Sequence, residues 1–105
     1  MSTRDYSDKQ EEEIAKWLNG KVQSGSGGTK FGGGDVHTDT FLIEAKTCTD
    51  DKKSFAIKKE WLVKAKEQAY EQRKLFWSLA FRFEPDGEDY YVIDKNLMKM
   101  LVGGV

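Results

Sequence analysis

The sequence has one cysteine, Cys48, one proline, Pro85, and one histidine, His37, among its 105 residues. A lone cysteine excludes an intrachain disulfide and a thiolate zinc cluster and agrees with a reducing compartment, which leaves Cys48 as a small residue after a strand. No apolar run approaches the roughly 20 residues that cross a bilayer, and Met1-Ser2-Thr3-Arg4-Asp5 contains no apolar signal segment. A cytoplasmic protein without a membrane partner is expected. Charge of one sign is also lacking: 17 Lys and Arg against 18 Asp and Glu leave a net charge of −1. That total argues against a uniformly basic nucleic-acid binder. Distribution can override it, because acids cluster at Glu11-Glu12-Glu13 and Asp86, Glu88, Asp89, while lysines concentrate between Lys52 and Lys74.

What is present fits one globular domain spanning residues 1–105, with 38% hydrophobic, 33% charged and 12% aromatic residues. A first helix opens near Ser7 or Asp8, either of which can cap it, and stops at Asn19-Gly20. Its apolar stripe is Ile14, Trp17 and Leu18. At about 100° per residue Glu11 shares that side, Glu12 faces away and Glu13 flanks Trp17. A short strand, Lys21 to Ser24, precedes residues 25–34, which hold six of the ten glycines. Strands follow at Asp35 to His37 and Thr40 to Thr47, joined by a tight turn at Thr38-Asp39. Ser54 is the expected cap of a second helix reaching about Arg73, with Ile57, Trp61, Ala65 and Ala69 along one apolar edge. Phe76 to Phe83 and Asp89 to Ile93 form an antiparallel pair around Glu84-Pro85-Asp86-Gly87-Glu88, before a small helix carrying Leu97, Met98 and Leu101. The order α-β-β-β-α-β-β-α predicts an α+β sandwich.

The chemistry concentrates in Gly34-Asp35-Val36 and Ile43-Glu44-Ala45-Lys46. Side chains alternate along a strand, so Glu44 and Lys46 emerge on one face while Ile43 and Ala45 point the other way. A carboxylate flanked by Phe41-Leu42-Ile43 needs a partner or a metal. Two carboxylates brought together hold a hard divalent cation such as Mg²⁺, and a neighbouring ammonium can orient or deprotonate a water attacking phosphorus. This is the pattern of a metal-dependent phosphodiesterase. The plainer readings are a turn residue for Asp35 and an ion-paired strand face for Glu44 and Lys46. His37 shares the face of Asp35, where a metal or proton-transfer role competes with the plainer role of a strand-surface histidine. Trp17, Trp61 and Trp77 read as core or subunit interface. Met98, Met100, Leu101 and Val102 either close the core or form a dimer contact. The glycine-rich segment lacks the Gly-Lys-Ser/Thr ending of a nucleotide-binding loop.

Together, Glu11 on the first helix, Ser24-Gly25-Ser26-Gly27, Gly34-Asp35-Val36, Ile43-Glu44-Ala45-Lys46 and the segment Ser54 to Leu62 resemble the PD-(D/E)xK nuclease superfamily. Within it they resemble the small Holliday-junction resolvases of archaea and phages. The resemblance covers most of the chain. It departs at Gly34, where the superfamily has a proline, and at Gln23, where many archaeal resolvases carry an arginine. It implies a restriction-endonuclease-like core with a central mixed β-sheet flanked by α-helices, and a catalytic set of Glu11, Asp35, Glu44 and Lys46. Asp35, Glu44, the carbonyl of Ala45 and Glu11 would serve Mg²⁺ or Mn²⁺. Glu13 is the alternative to Glu11. Ser24, Ser26, Lys30, Lys58 and Lys59 would contact DNA phosphates. The implied activity is a homodimeric hydrolase of DNA recombination and repair, of phage type, that resolves four-way junctions by paired symmetric nicks leaving 5′-phosphate and 3′-hydroxyl ends. A nuclease of the same superfamily acting on flaps or duplex DNA, or a non-catalytic module that binds DNA structure, is the alternative.

Overall fold

The computed structural model describes residues 3–23 and 35–104. Ser24, Ser26, Lys30 and Gly34 lie outside the described residues. The elements are α1 (Thr3–Leu18), β1 (Lys21–Val22), β2 (Asp35–His37), β3 (Phe41–Lys46), α2 (Lys59–Glu71), β4 (Phe76–Phe81), β5 (Tyr90–Val92) and α3 (Lys95–Gly103). The order is the one expected. The strands make one five-stranded mixed sheet in the sequence β1-β2-β3-β4-β5. Neighbours are antiparallel except β3 and β4, which are parallel. A parallel pair needs a crossover, and α2 supplies it.

Strand alternation sorts the two faces. Val36, Ile43, Ala45 and Ala80 cluster with Ile14 and Ala15 of α1. Leu42, Glu44 and Lys46 emerge on the opposite face, where α2 brings Lys64 to Glu44 and Trp61 to Lys46. Ala65 and Ala69 are the buried residues of α2. The β2–β3 turn closes on Thr38, whose amide donates to the Phe41 carbonyl at 3.0 Å and whose hydroxyl accepts from the amides of Thr40 and Phe41 at 3.2 and 3.0 Å. Asn19 ends α1 at φ 57°, and the Gly20 amide bonds the Ala15 carbonyl at 2.8 Å. A side chain at Gly20 would meet the His37 carbonyl oxygen at 2.7 Å, so glycine is required there.

Three expectations change. The first helix starts at Thr3, ahead of Ser7. Ser7 is buried inside it and donates to Glu11 at 3.0 Å instead of capping. Ser7, Gln10, Glu11, Ile14 and Ala15 form the buried stripe of α1. Trp17, one residue from the end of α1 and about 20° beyond the Gln10 edge of that stripe at 100° per residue, is 80% exposed, not core. The second helix starts at Lys59, and Ser54 does not cap it. Tertiary contacts draw the preceding segment away from helical geometry. The Lys52 amide bonds the Phe83 carbonyl at 2.8 Å, and the Phe55 ring stacks on Phe81 at 5.1 Å.

A buried polar network ties α1 to the far end of β4. Arg82 is buried and donates to both Asp89 oxygens at 2.9 and 2.6 Å, to the Pro85 carbonyl at 2.9 Å and to Glu13 at 3.2 Å. Gln10 donates to Asp89 at 2.9 Å and to the Lys46 carbonyl at 3.1 Å. Lys9 pairs with Asp86 at the surface. The last helix is capped by Asp94, which accepts from the Leu97 amide at 2.9 Å. Leu97 is its buried residue, while Met98, Met100, Leu101 and Val102 are exposed and do not close the core. Among the described residues no helix is long and apolar enough to cross a membrane.

Candidate active site

Register brings the two strand carboxylates together. Asp35 opens β2, Glu44 lies near the end of β3, and the antiparallel pairing sets them directly opposite each other. Directly opposed residues share a face, so both carboxylates turn toward the α2 side. Both are buried. Neither Glu44 oxygen, nor Oδ1 of Asp35, receives a hydrogen bond. Burying two carboxylates without hydrogen-bond donors costs free energy, and the charge nearest them is the pair of ammoniums of Lys46 and Lys64.

The electrostatics follow from this packing. Asp35 is pushed up to about 9, first by burial, then by the Glu44 carboxylate beside it, which bonds its proton and repels its anion, while Lys64 opposes the rise and Glu11 adds to it. Without added cations Asp35 therefore holds its proton at neutral pH. Lys46, two residues after Glu44 on the same face, places Nζ 3.5 Å from Glu44 Oε2 and 4.6 Å from the Trp61 ring centroid. Lys64 of α2 approaches the same oxygen at 3.7 Å.

The two helix carboxylates separate clearly. Glu11 is buried on α1, accepts from Ser7, and lies near enough for its charge to act on Asp35. Glu13 turns away and is engaged by Arg82. Among the described residues no group of three or more His, Cys, Asp or Glu side chains is gathered tightly enough to hold a metal ion. Asp35 and Glu44 are therefore the two carboxylates that could hold one together. Such a pair suits Mg²⁺, which binds through one or two carboxylates and keeps several waters. The three orphaned oxygens are acceptors of the kind such an ion or its waters would satisfy. Ala45, between Glu44 and Lys46, buries its methyl against α1.

Of the remaining candidates, Lys59 is the first residue of α2 and Lys58 immediately precedes it, both exposed. Lys58 Nζ lies 5.7 Å from the Trp61 ring, so these lysines border the site's aromatic wall. His37 pairs with Leu42 and Lys21 and joins no metal-binding group. Sequence reasoning missed Lys64. The signal was its spacing: Trp61, Lys64, Ala65 and Gln68 lie three and four apart and so share one side of a helix. Gln68 confirms that orientation, because its Oε1 is buried and without a partner. The chain matches no protein-family model, no curated protein and no solved structure.

Proposed function

We propose that this chain is a metal-dependent, structure-selective DNA endonuclease with a restriction-endonuclease-like core, acting on four-way junctions. The carrying observation is the buried, directly opposed pair Asp35 and Glu44, whose orphaned oxygens adjoin Lys46. Lys46 and Lys64 pair with Glu44 Oε2 at 3.5 and 3.7 Å without hydrogen-bonding it, which leaves oxygens that a cation would take up. Asp35 and Glu44, with the Ala45 carbonyl, would hold Mg²⁺ or Mn²⁺, which when bound offsets the negative charge that develops on a phosphate oxygen. Lys46 orients the attacking water and helps deprotonate it. The water oxygen bonds to phosphorus as the bond to the 3′-oxygen breaks. The electron pair and a proton end on that oxygen, giving 5′-phosphate and 3′-hydroxyl ends. Glu11, whose charge reaches Asp35, would order the surrounding water shell.

Lys58 and Lys59 would take flanking phosphates at the start of α2, where backbone amides add partial positive charge. Paired symmetric nicks need two sites, so the partner is a second copy. The exposed residues Met98, Leu101 and Val102 on α3 are apolar surface that such a contact would cover.

The test uses a labelled synthetic four-way junction and a matched linear duplex, with Mg²⁺, Mn²⁺ or EDTA, and the Glu44→Ala variant as control. Paired metal-dependent cuts confined to the junction, lost in the variant, are expected. Equal cutting of duplex would make the chain a general nuclease instead, and binding without cleavage in either metal would make it a DNA-structure-binding module.

A further inference from the structure

Two ammonium groups stand over Glu44, and they are held differently. Lys46 comes from β3 itself, is 20% exposed, and is braced by the Trp61 ring at 4.6 Å. Lys64 comes from the crossover helix, is 43% exposed, and makes no hydrogen bond among the described residues. Its 3.7 Å separation from Glu44 Oε2 exceeds the roughly 2.7–2.9 Å of a made ammonium–carboxylate hydrogen bond. Lys46 at 3.5 Å also stops short of that bond, but its ammonium is held over the Trp61 ring, whereas no ring or hydrogen bond among the described residues holds that of Lys64. Lys64 keeps three donors uncommitted at the solvent side of a fully buried carboxylate. The rest of its helix row points the same way: Ala65 packs inward without bulk, and Gln68, one turn on, aims a buried and unpartnered oxygen into the same layer.

Resting on the nuclease reading above, we propose that Lys64 is a substrate-contacting catalytic residue that binds a non-bridging oxygen of the scissile phosphate. With a cation held by Asp35 and Glu44, Lys64 would lose Glu44 as its counter-charge and be free to bond another anion. A DNA phosphate arriving at the metal is the nearest anion that can accept its hydrogen bonds. As the water adds to phosphorus and the bond to the 3′-oxygen lengthens, charge grows on the non-bridging oxygens, and a fixed ammonium there lowers the barrier. The crossover helix thereby contributes chemistry as well as topology.

Single-turnover cleavage of the four-way junction at saturating Mn²⁺ would be compared for the wild type, Lys64→Met, Lys64→Gln and Lys64→Arg. Urea unfolding and the Mn²⁺-induced rise in melting temperature are recorded for each. Lys64→Met and Lys64→Gln should cut about 10²-fold more slowly, with stability and the Mn²⁺ response retained. Lys64→Arg should recover most of that loss, since it restores a cationic donor. Wild-type rates in Met and Gln variants, from a wild-type protein that does cut, would overturn the Lys64 assignment and leave the nuclease reading standing. So would a loss shared equally by the Arg variant, or a loss that tracks a weakened Mn²⁺ response. Absence of cleavage by the wild type in both Mg²⁺ and Mn²⁺ would overturn both readings. If Lys64→Met does not fold, Lys64→Gln carries the comparison.

Discussion

Replacing Asp35 by asparagine should stabilise the cation-free protein, and the gain should grow with pH. The ordinary Asp value is 3.8 and the folded value about 9. Between those limits the folded state retains a proton that the unfolded chain has released, so stability falls as pH rises through that window. Below about pH 4 both states hold the proton and the penalty vanishes. At pH 7 the penalty spans about 3 pH units at ~1.36 kcal/mol each, a ceiling of about 4 kcal/mol. Asparagine cannot ionise, and its amide can donate to Glu44 in place of the Asp35 proton. Urea unfolding in EDTA should therefore show Asp35→Asn ahead of wild type by about 2–4 kcal/mol at pH 7 and by less than about 1 kcal/mol at pH 4. Parallel stability curves for the two proteins from pH 4 to pH 8 would refute the reasoning. Saturating Mg²⁺ or Mn²⁺ should narrow the gap, since only the wild type gains binding energy.

Other consequences fall on different residues. Lys46→Met should leave the fold intact while slowing junction cleavage by about 10²–10⁴-fold, measured in single turnover. Arg82→Ala should cost about 3 kcal/mol or more in urea unfolding, because it strands Asp89 and removes the tie to Glu13. Glu13→Gln should cost no more than about 1 kcal/mol and leave cleavage near wild type, as expected for a half-exposed structural partner; loss of activity there would restore Glu13 as the helix carboxylate.

The β2–β3 hairpin was legible because its signals are local. Period-two alternation fixes which of Ile43, Glu44, Ala45 and Lys46 face together, and a Thr-Asp turn fixes the register that opposes Asp35 to Glu44. The inward direction of Glu11 was legible from helix geometry alone. Trp17 misled because hydrophobicity was counted over direction: the buried stripe of α1 carries Ser7, Gln10 and Glu11, which a search for apolar residues passes over. The start of α2 was hidden by contacts distant in sequence, Lys52 to Phe83 and Phe55 to Phe81, which outweigh the capping tendency of Ser54. Arg82 offered a weak signal as a charge ending an apolar strand. Its partner Asp89 is assigned only once the turn between them is folded. Lys64 offered only its helical spacing from Trp61 and Ala65, and its approach to Glu44 is fixed by which strand its helix covers.

Calorimetric titration of Mn²⁺ into the wild type, Asp35→Asn and Glu44→Gln decides whether Asp35 and Glu44 form a divalent-cation site. Saturable binding to the wild type with release of the Asp35 proton, and loss of binding in both variants, is expected. Wild-type binding that survives in both variants, or no binding by the wild type, would contradict that assignment.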